Sequence, residues 1–359
     1  MRVYLDHNAT TPLAPEAREA MLPWLGRAAN ASSVHAEGRA AREAVERARE
    51  AVAAALGVTS REIVLTSGAT EANNAVLRGF GGVRRHVVTT AAEHPSVLDP
   101  VRGAATLVPV DGLGRVDPVA VRAALREDTG LCSILLANNE TGVVQDVAAI
   151  AAECRARGVL VHVDAAQGLG RLPIDLAGID YATFSAHKVH GPIGAGALFV
   201  RRGAGLDPFV RGGHQERGRR GGTENVAAIA GFGAACGRVP AMLAAIPRVA
   251  ALRDRLEAGL GGLRNGDPAH CLPNTLNVAF DGVDAEALLA ALDLAGVAAS
   301  AGSACTAGSL EPSHVLLAMG ISDARARSSL RFSLGVGTTE ADIDTAIAAT
   351  RDALQRLRR

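Results

Sequence analysis

The chain of 359 residues is 48% apolar and 21% charged, and its 37 Lys and Arg balance 37 Asp and Glu. These proportions exclude a disordered chain, a fibrous repeat and a small disulfide scaffold, and leave no global field to gather nucleic acid or anionic lipid. With 40 Gly but one Trp, two Tyr and seven Phe, the core is packed from Ala, Val, Leu and Ile around many tight turns. At roughly 150 residues per domain, the length suggests two to three domains.

In chain order, the N-terminal MRVYLDHNATT carries Arg2 and Asp6 and lacks the apolar run of a signal peptide. Residues 36–56 predict a surface helix, because Ala41, Ala44, Val45, Ala48, Ala51, Val52, Ala55 and Leu56 recur at three- and four-residue spacing. Glu43 and Arg47 sit four apart in the favourable order, and Gly57 stops the helix. From 63 to 200, short β-branched runs alternate with helical or polar stretches. The runs are Ile63–Thr66, His86–Thr90, Thr106–Val110, Cys132–Ala137, Val159–Val163, Tyr181–Phe184 and Gly196–Val200. This alternation predicts an α/β domain with a mostly parallel sheet. Beyond 240 the texture changes to helices near 241–260, 284–295 and 339–357 joined by strands at Leu276–Phe280 and Leu330–Leu334, as in a smaller α+β domain. Thr339 is the expected N-cap of the last helix, with Asp342 at its third position.

Five cysteines, Cys132, Cys154, Cys236, Cys271 and Cys305, form no C-x-x-C pair. An odd count without that spacing speaks against a disulfide framework and against a zinc site. The longest uncharged run, Leu294 to Leu310, is too short and too rich in small residues to span a membrane. A reducing cytoplasm is the expected setting.

Polar residues collect where the expected strands end. Ser67-Gly68-Ala69-Thr70-Glu71, Glu93-His94, Asn138-Asn139-Glu140, Asp164 with Gln167, and Ser185-Ala186-His187-Lys188 each follow one strand. Open α/β sheets bind ligands beyond the carboxyl ends of their strands, so parallel strands would bring all five groups to one edge. Lys188 is the only lysine among the 37 basic residues. Arginine stays protonated and cannot serve as an amine nucleophile, so a solitary lysine is a candidate for primary-amine chemistry. The Ser67–Thr70 turn before a helix suits an anion, since small residues let the backbone approach and the first turn offers free N–H groups. Asp164 ends an apolar run and needs a cationic or hydrogen-bonded partner. A Schiff-base lysine, an acid for a ring nitrogen and a phosphate cup are the parts that pyridoxal phosphate (PLP) requires.

Ser300 to Ser309 has no large or charged side chain and carries Cys305 at its centre, which predicts a mobile loop with an accessible thiol. The other four cysteines read as small buried hydrophobes. His187 and His190 are explained by a strand-end turn rather than a metal. Arg217, Arg219 and Arg220 read as a solvated loop or a phosphate contact, since aromatics for stacking on bases are absent there. Trp24 and Phe80 read as core.

With these residues in place, the chain resembles a cysteine desulfurase of the NifS/IscS type, in the class V aminotransferase group of PLP enzymes. The resemblance runs from Tyr4–Thr11 to Ser328–Gly335. Between them lie Thr66–Glu71, Glu93-His94, Asn138–Gly142, His162–Ala165, Ser185–Lys188, Gln215–Asn225 and Gly302–Thr306. It implies fold type I: a large domain over 13–245 with a mostly parallel seven-stranded sheet, and a smaller α+β domain from 1–12 and 246–359 bearing the cysteine loop. It implies that Lys188 carries the cofactor and moves protons, that Asp164 pairs with the pyridine nitrogen, and that His94 lies over the ring and takes part in proton transfer. Gln167 and Asn139 would contact the ring-oxygen side, with Asn139 also near the substrate. Ala69, Thr70, Ser185 and His187 would hold the phosphate, joined by Thr223 across a homodimer interface. Arg331 would bind the carboxylate of L-cysteine. Cys305 would attack the substrate sulfur, giving alanine and a persulfide that passes to an acceptor such as an iron–sulfur scaffold, where Cys305 could briefly contact a cluster. No resident metal, nucleic acid or membrane is implied. The chain stops soon after its last helix, short of the tail by which housekeeping members dock a scaffold, so the acceptor is left open. Selenocysteine lysis, another class V aminotransferase reaction, and a non-catalytic carrier on the same fold are the competing readings.

Overall fold

The computed structural model describes residues 2–81, 85–301 and 311–358. The seven β-branched runs form one sheet of Ile63–Thr66, His86–Thr90, Ala105–Val108, Thr129–Leu135, Leu160–Asp164, Tyr181–Ser185 and Gly196–Val200. In space the order is 63–66, 196–200, 181–185, 160–164, 129–135, 86–90, 105–108. Only Gly196–Val200 runs antiparallel to its neighbours. Inserted between two strands, it leaves Ile63–Thr66 pointing the same way as the other five, so six carboxyl ends share one edge.

Alternation along each strand divides the core. Ile63, Leu65, Val161, Val163, Ala182 and Phe184 pack on one face against Ala41, Val45, Val52 and Leu56 of the Ala36–Leu56 helix. That helix has the predicted bounds, and Gly57 closes it at φ 67°. Val64, Leu131, Tyr181 and Leu198 face the other way, against Ala72, Val76 and Phe80 from and beside the Ala69–Gly79 helix. Phe80 is core as expected, whereas Trp24 is only partly buried against the edge of the first cluster.

A separate apolar cluster gathers Val3 and Leu5 with Leu252, Leu256, Leu276, Leu288, Phe332, Ile343 and Leu354. Its frame is a three-stranded antiparallel sheet of Ser329–Ser333, Thr275–Ala279 and Leu263–Arg264. Val3–Tyr4 pairs in parallel with Val297–Ala298, which ties the N-terminus to the C-terminal third. These two-residue strands escape a pattern analysis because two residues carry no period. The last helix, Glu340–Leu357, opens on the expected capping box, with Thr339 and Asp342 bonding each other's backbone N–H. Val315, Leu316, Met319 and Ala326 pack with the large-sheet cluster, so the chain returns to the first body after residue 311 before entering Ser329–Ser333.

Candidate active site

One cavity of about 400 Å³ lies at the carboxyl edge of the large sheet. Ala69, Thr70, His94, Asn139, Asp164, Gln167, Ser185, His187, Lys188 and Arg331 all line it. The five strand-end groups of the sequence therefore meet, because their strands point the same way in one sheet, four of them adjacent and Ile63–Thr66 one strand beyond. Thr223 is placed elsewhere, in a neighbouring depression with Ser67, Gly194, Glu216 and Arg220. Cys305 lies outside the described residues.

Asp164 ends its strand 7% exposed. One carboxylate oxygen accepts from Asn73 Nδ2 at 2.7 Å and the other from the Ala166 N–H at 3.0 Å. Asn73 is fully buried and also donates to Ser96 Oγ at 2.9 Å, while Thr183 Oγ1 donates to Asn73 Oδ1 at 2.7 Å. Ser96 Oγ in turn lies 2.8 Å from His94 Nδ1. Asn73 and Ser96 thus fix the acid and the imidazole relative to each other. Sequence reading missed both, although an asparagine on the apolar face of a helix is a signal that something polar lies opposite. The Ser96 N–H also donates to His94 Nδ1 at 3.1 Å, so a neutral ring carries its proton on Nε2. Burial, reinforced by Lys188 and His314 and opposed by Asp164, keeps the His94 pKa below its ordinary value.

The Ala69–Gly79 helix starts without a side-chain cap, directly after Gly68 at φ 153°. A Cβ on Gly68 would point at Ser185 Oγ from 3.8 Å and begin to fill the hollow between them. This uncapped first turn, Thr70, Ser185 and His187 together form a cup for an anion. His187 Nδ1 lies 3.1 Å from Thr10 Oγ1, and burial with nearby Lys188 and Arg171 lowers its pKa to about 4. Lys188 Nζ donates to the carbonyls of Asn8 and of Ala9, the latter at 2.8 Å. The N-terminal segment therefore steers the lysine toward the cavity. Arg331 is 1% exposed, donates to Asp6 Oδ1 at 2.6 Å and to the Asn139 carbonyl at 3.0 Å, and presents its guanidinium to the cavity from the smaller sheet. An amine, a buried acid, an imidazole and an anion cup around one cavity are the side chains that a PLP site requires, and the cavity is within the usual size range for a small-molecule site.

Two more acids stand at this edge. Glu93 is fully buried, accepts from Thr90 Oγ1 and the Leu135 N–H, and has its pKa pushed up to about 8 by burial. Glu140 is buried and accepts from Ser313 Oγ, next to His314, which also lines the cavity and whose Nε2 meets the Glu93 carbonyl at 2.9 Å. His314 gave no sequence signal, since only the fold brings it beside His94. The arginine cluster also anchors its loop, with Arg217 exposed as a solvated loop residue would be. Arg217 and Arg219 bind carbonyls of 60 and 61, and Arg220 pairs with Glu71 at 2.9 Å. Cys132, Cys154 and Cys236 are buried as expected, but Cys271 is half-buried and its sulfur receives hydrogen bonds from Arg253 and Arg264. No group of three or more metal-ligating side chains occurs among the described residues.

With this geometry, the class V aminotransferase model matches residues 3–345, and the chain belongs to that family. Among curated relatives, it is 46% identical over 375 residues to a cysteine desulfurase of Rhodobacter capsulatus, covering 99% of this chain and 97% of that one. It is 47% identical over 384 residues to the cysteine desulfurase IscS of an Anaeromyxobacter species, covering 99% of this chain and 93% of that one. A solved NifS-like protein superposes with a TM-score of 0.93 at 36% identity, over 99% of this chain and 100% of that chain.

Proposed function

We propose that this protein is a PLP-dependent cysteine desulfurase that removes sulfur from L-cysteine, leaving L-alanine and a persulfide on Cys305. The observation that carries the reading is that the only lysine opens into the same cavity as Asp164, His94 and Arg331. Full-length identity to cysteine desulfurases supports the substrate. When bound, the cofactor supplies an electron sink for charge developing at the substrate α-carbon. Lys188 would hold it covalently and would move a proton at that carbon. Asp164, fixed by Asn73, would face the ring nitrogen as a carboxylate partner. The anion cup retains the phosphate, with Thr223 contributed across a homodimer interface. Arg331 clamps the cysteine carboxylate, and His94 holds a movable proton at Nε2. The Cys305 thiolate attacks the substrate sulfur, the Cβ–S bond breaks with its electron pair on carbon, and a proton completes the methyl group of alanine. The persulfide then passes to an acceptor protein in the cytoplasm.

Incubation with L-cysteine and a reductant should yield alanine and sulfide in equal amounts, with Cys305→Ala abolishing both. Unimpaired turnover in that variant would defeat the desulfurase mechanism. A colourless protein unchanged by added PLP would defeat any PLP-enzyme reading.

A further inference from the structure

Behind Lys188 lies a second, smaller hollow lined by His7, Arg171, Lys188 and His190. Arg171 is 7% exposed and its hydrogen bonds go to uncharged oxygens. They are Gln167 Oε1, the His7 carbonyl at 2.9 Å, and more distantly the carbonyls of Lys188 and Gln167. A buried cation with no carboxylate on it among the described residues is costly and calls for a reason.

The reason is the polarity of the Gln167 amide. An amide can present its oxygen or its nitrogen to either side, but a guanidinium has only donors. Arg171 therefore claims Oε1 and forces the amide nitrogen to the opposite side. There Nε2 donates one hydrogen to the Asn8 carbonyl at 3.0 Å, which also accepts from Lys188 Nζ. The second hydrogen is left for the cavity that Gln167 lines. We propose that Arg171 is a positioning residue that locks Gln167 as a hydrogen-bond donor toward an acceptor oxygen of the bound cofactor, while holding the His7–Ala9 segment against Lys188. This inference rests on the desulfurase reading.

A donor at the ring oxygen favours the deprotonated form of the bound cofactor, in which that oxygen is most negative. Removing it should raise the pH at which the visible absorption band titrates. A hydrogen bond to a charged partner corresponds to about one pH unit. The holoenzyme is titrated as parent, Arg171→Lys and Arg171→Met. Lysine also only donates, so Arg171→Lys should titrate like the parent, while Arg171→Met should titrate about one unit higher. A loaded Arg171→Met protein that titrates like the parent overturns the proposal, as does an Arg171→Lys protein shifted as far as Arg171→Met. If Arg171→Met does not fold, Gln167→Met carries the test, because it removes the donor and keeps the arginine; an unmoved band overturns the proposal. A parent that takes up no cofactor fails the desulfurase reading itself, and this inference with it.

Discussion

At the scale of single residues, burial sets the protonation of the site more than pairing does. His7, His162 and His187 are pushed down to about 3, 4 and 4 respectively, in each case by desolvation first. A histidine depressed in the folded state stays neutral there while the unfolded chain binds a proton below about 6.5. Stability from these groups is therefore present above that pH and lost as pH falls toward 4. Glu93 acts with the opposite sign. Its folded pKa of about 8 exceeds the unfolded value, so its contribution is full below about 4.5 and fades as pH rises through 8. Three histidines outweigh one acid below about pH 6. The thermal midpoint should fall steadily from pH 6.5 to 5, and a flat or rising midpoint over that interval would contradict the assignment of neutral buried imidazoles.

At the scale of elements, the site depends on how the Ala69–Gly79 helix is pinned to the sheet. Its only polar grip on the Leu160–Asp164 strand among the bonds above is Asn73, which reaches Asp164, Ser96 and Thr183 together. Asn73→Ala would strand buried partners on three elements and should cost about 1–3 kcal/mol in denaturant unfolding. It should also weaken PLP retention, measured as cofactor released on dialysis, because Asp164 and His94 lose their common tether. Full retention in a folded Asn73→Ala protein would show that the helix is held by apolar packing alone. The loop at 210–225 is pinned in a related way. Glu216 and Arg217 hold positive φ, and the buried Glu216 carboxylate binds Arg49 and the Leu65 N–H at 2.8 Å. That N–H precedes the anion cup by a few residues, so loop and cup share one anchor.

At the scale of the whole molecule, the cavity is open on the side of Ile193, which lines it while 77% exposed. Leu25 and Val34 are likewise 66% and 84% exposed. Of these, Ile193 stands at the mouth of the cavity, where an exposed apolar side chain suits a partner surface. In the proposed homodimer, where Thr223 is contributed across the interface, Ile193 is a candidate contact between the copies. Light scattering should therefore give a dimer, and Ile193→Arg should shift it toward monomer and weaken PLP retention together. A monomeric parent with full cofactor retention would remove Thr223 from the site.

The alternating strands, the long helix stopped by Gly57, the terminal capping box and the separate standing of the only lysine were all legible from the residues in order. Each of these is local: period, cap chemistry and residue type are written within a few neighbouring positions. It took the folded chain to reveal that Asn73 and Ser96 bridge Asp164 to His94, that His314 lines the cavity, and that Arg171 bonds Gln167 Oε1. Asn73 reaches Ser96 and Asp164 across 23 and 91 positions, and His314 reaches the Glu93 carbonyl across 221. Arg171 and Gln167, only four apart, are aligned by the Asn8 carbonyl, which lies 159 positions from Gln167. A polar side chain gives no local sign of such a partner. The antiparallel insertion of Gly196–Val200 was likewise invisible, because strand direction is set by pairing across the sheet and not by the residues of one strand.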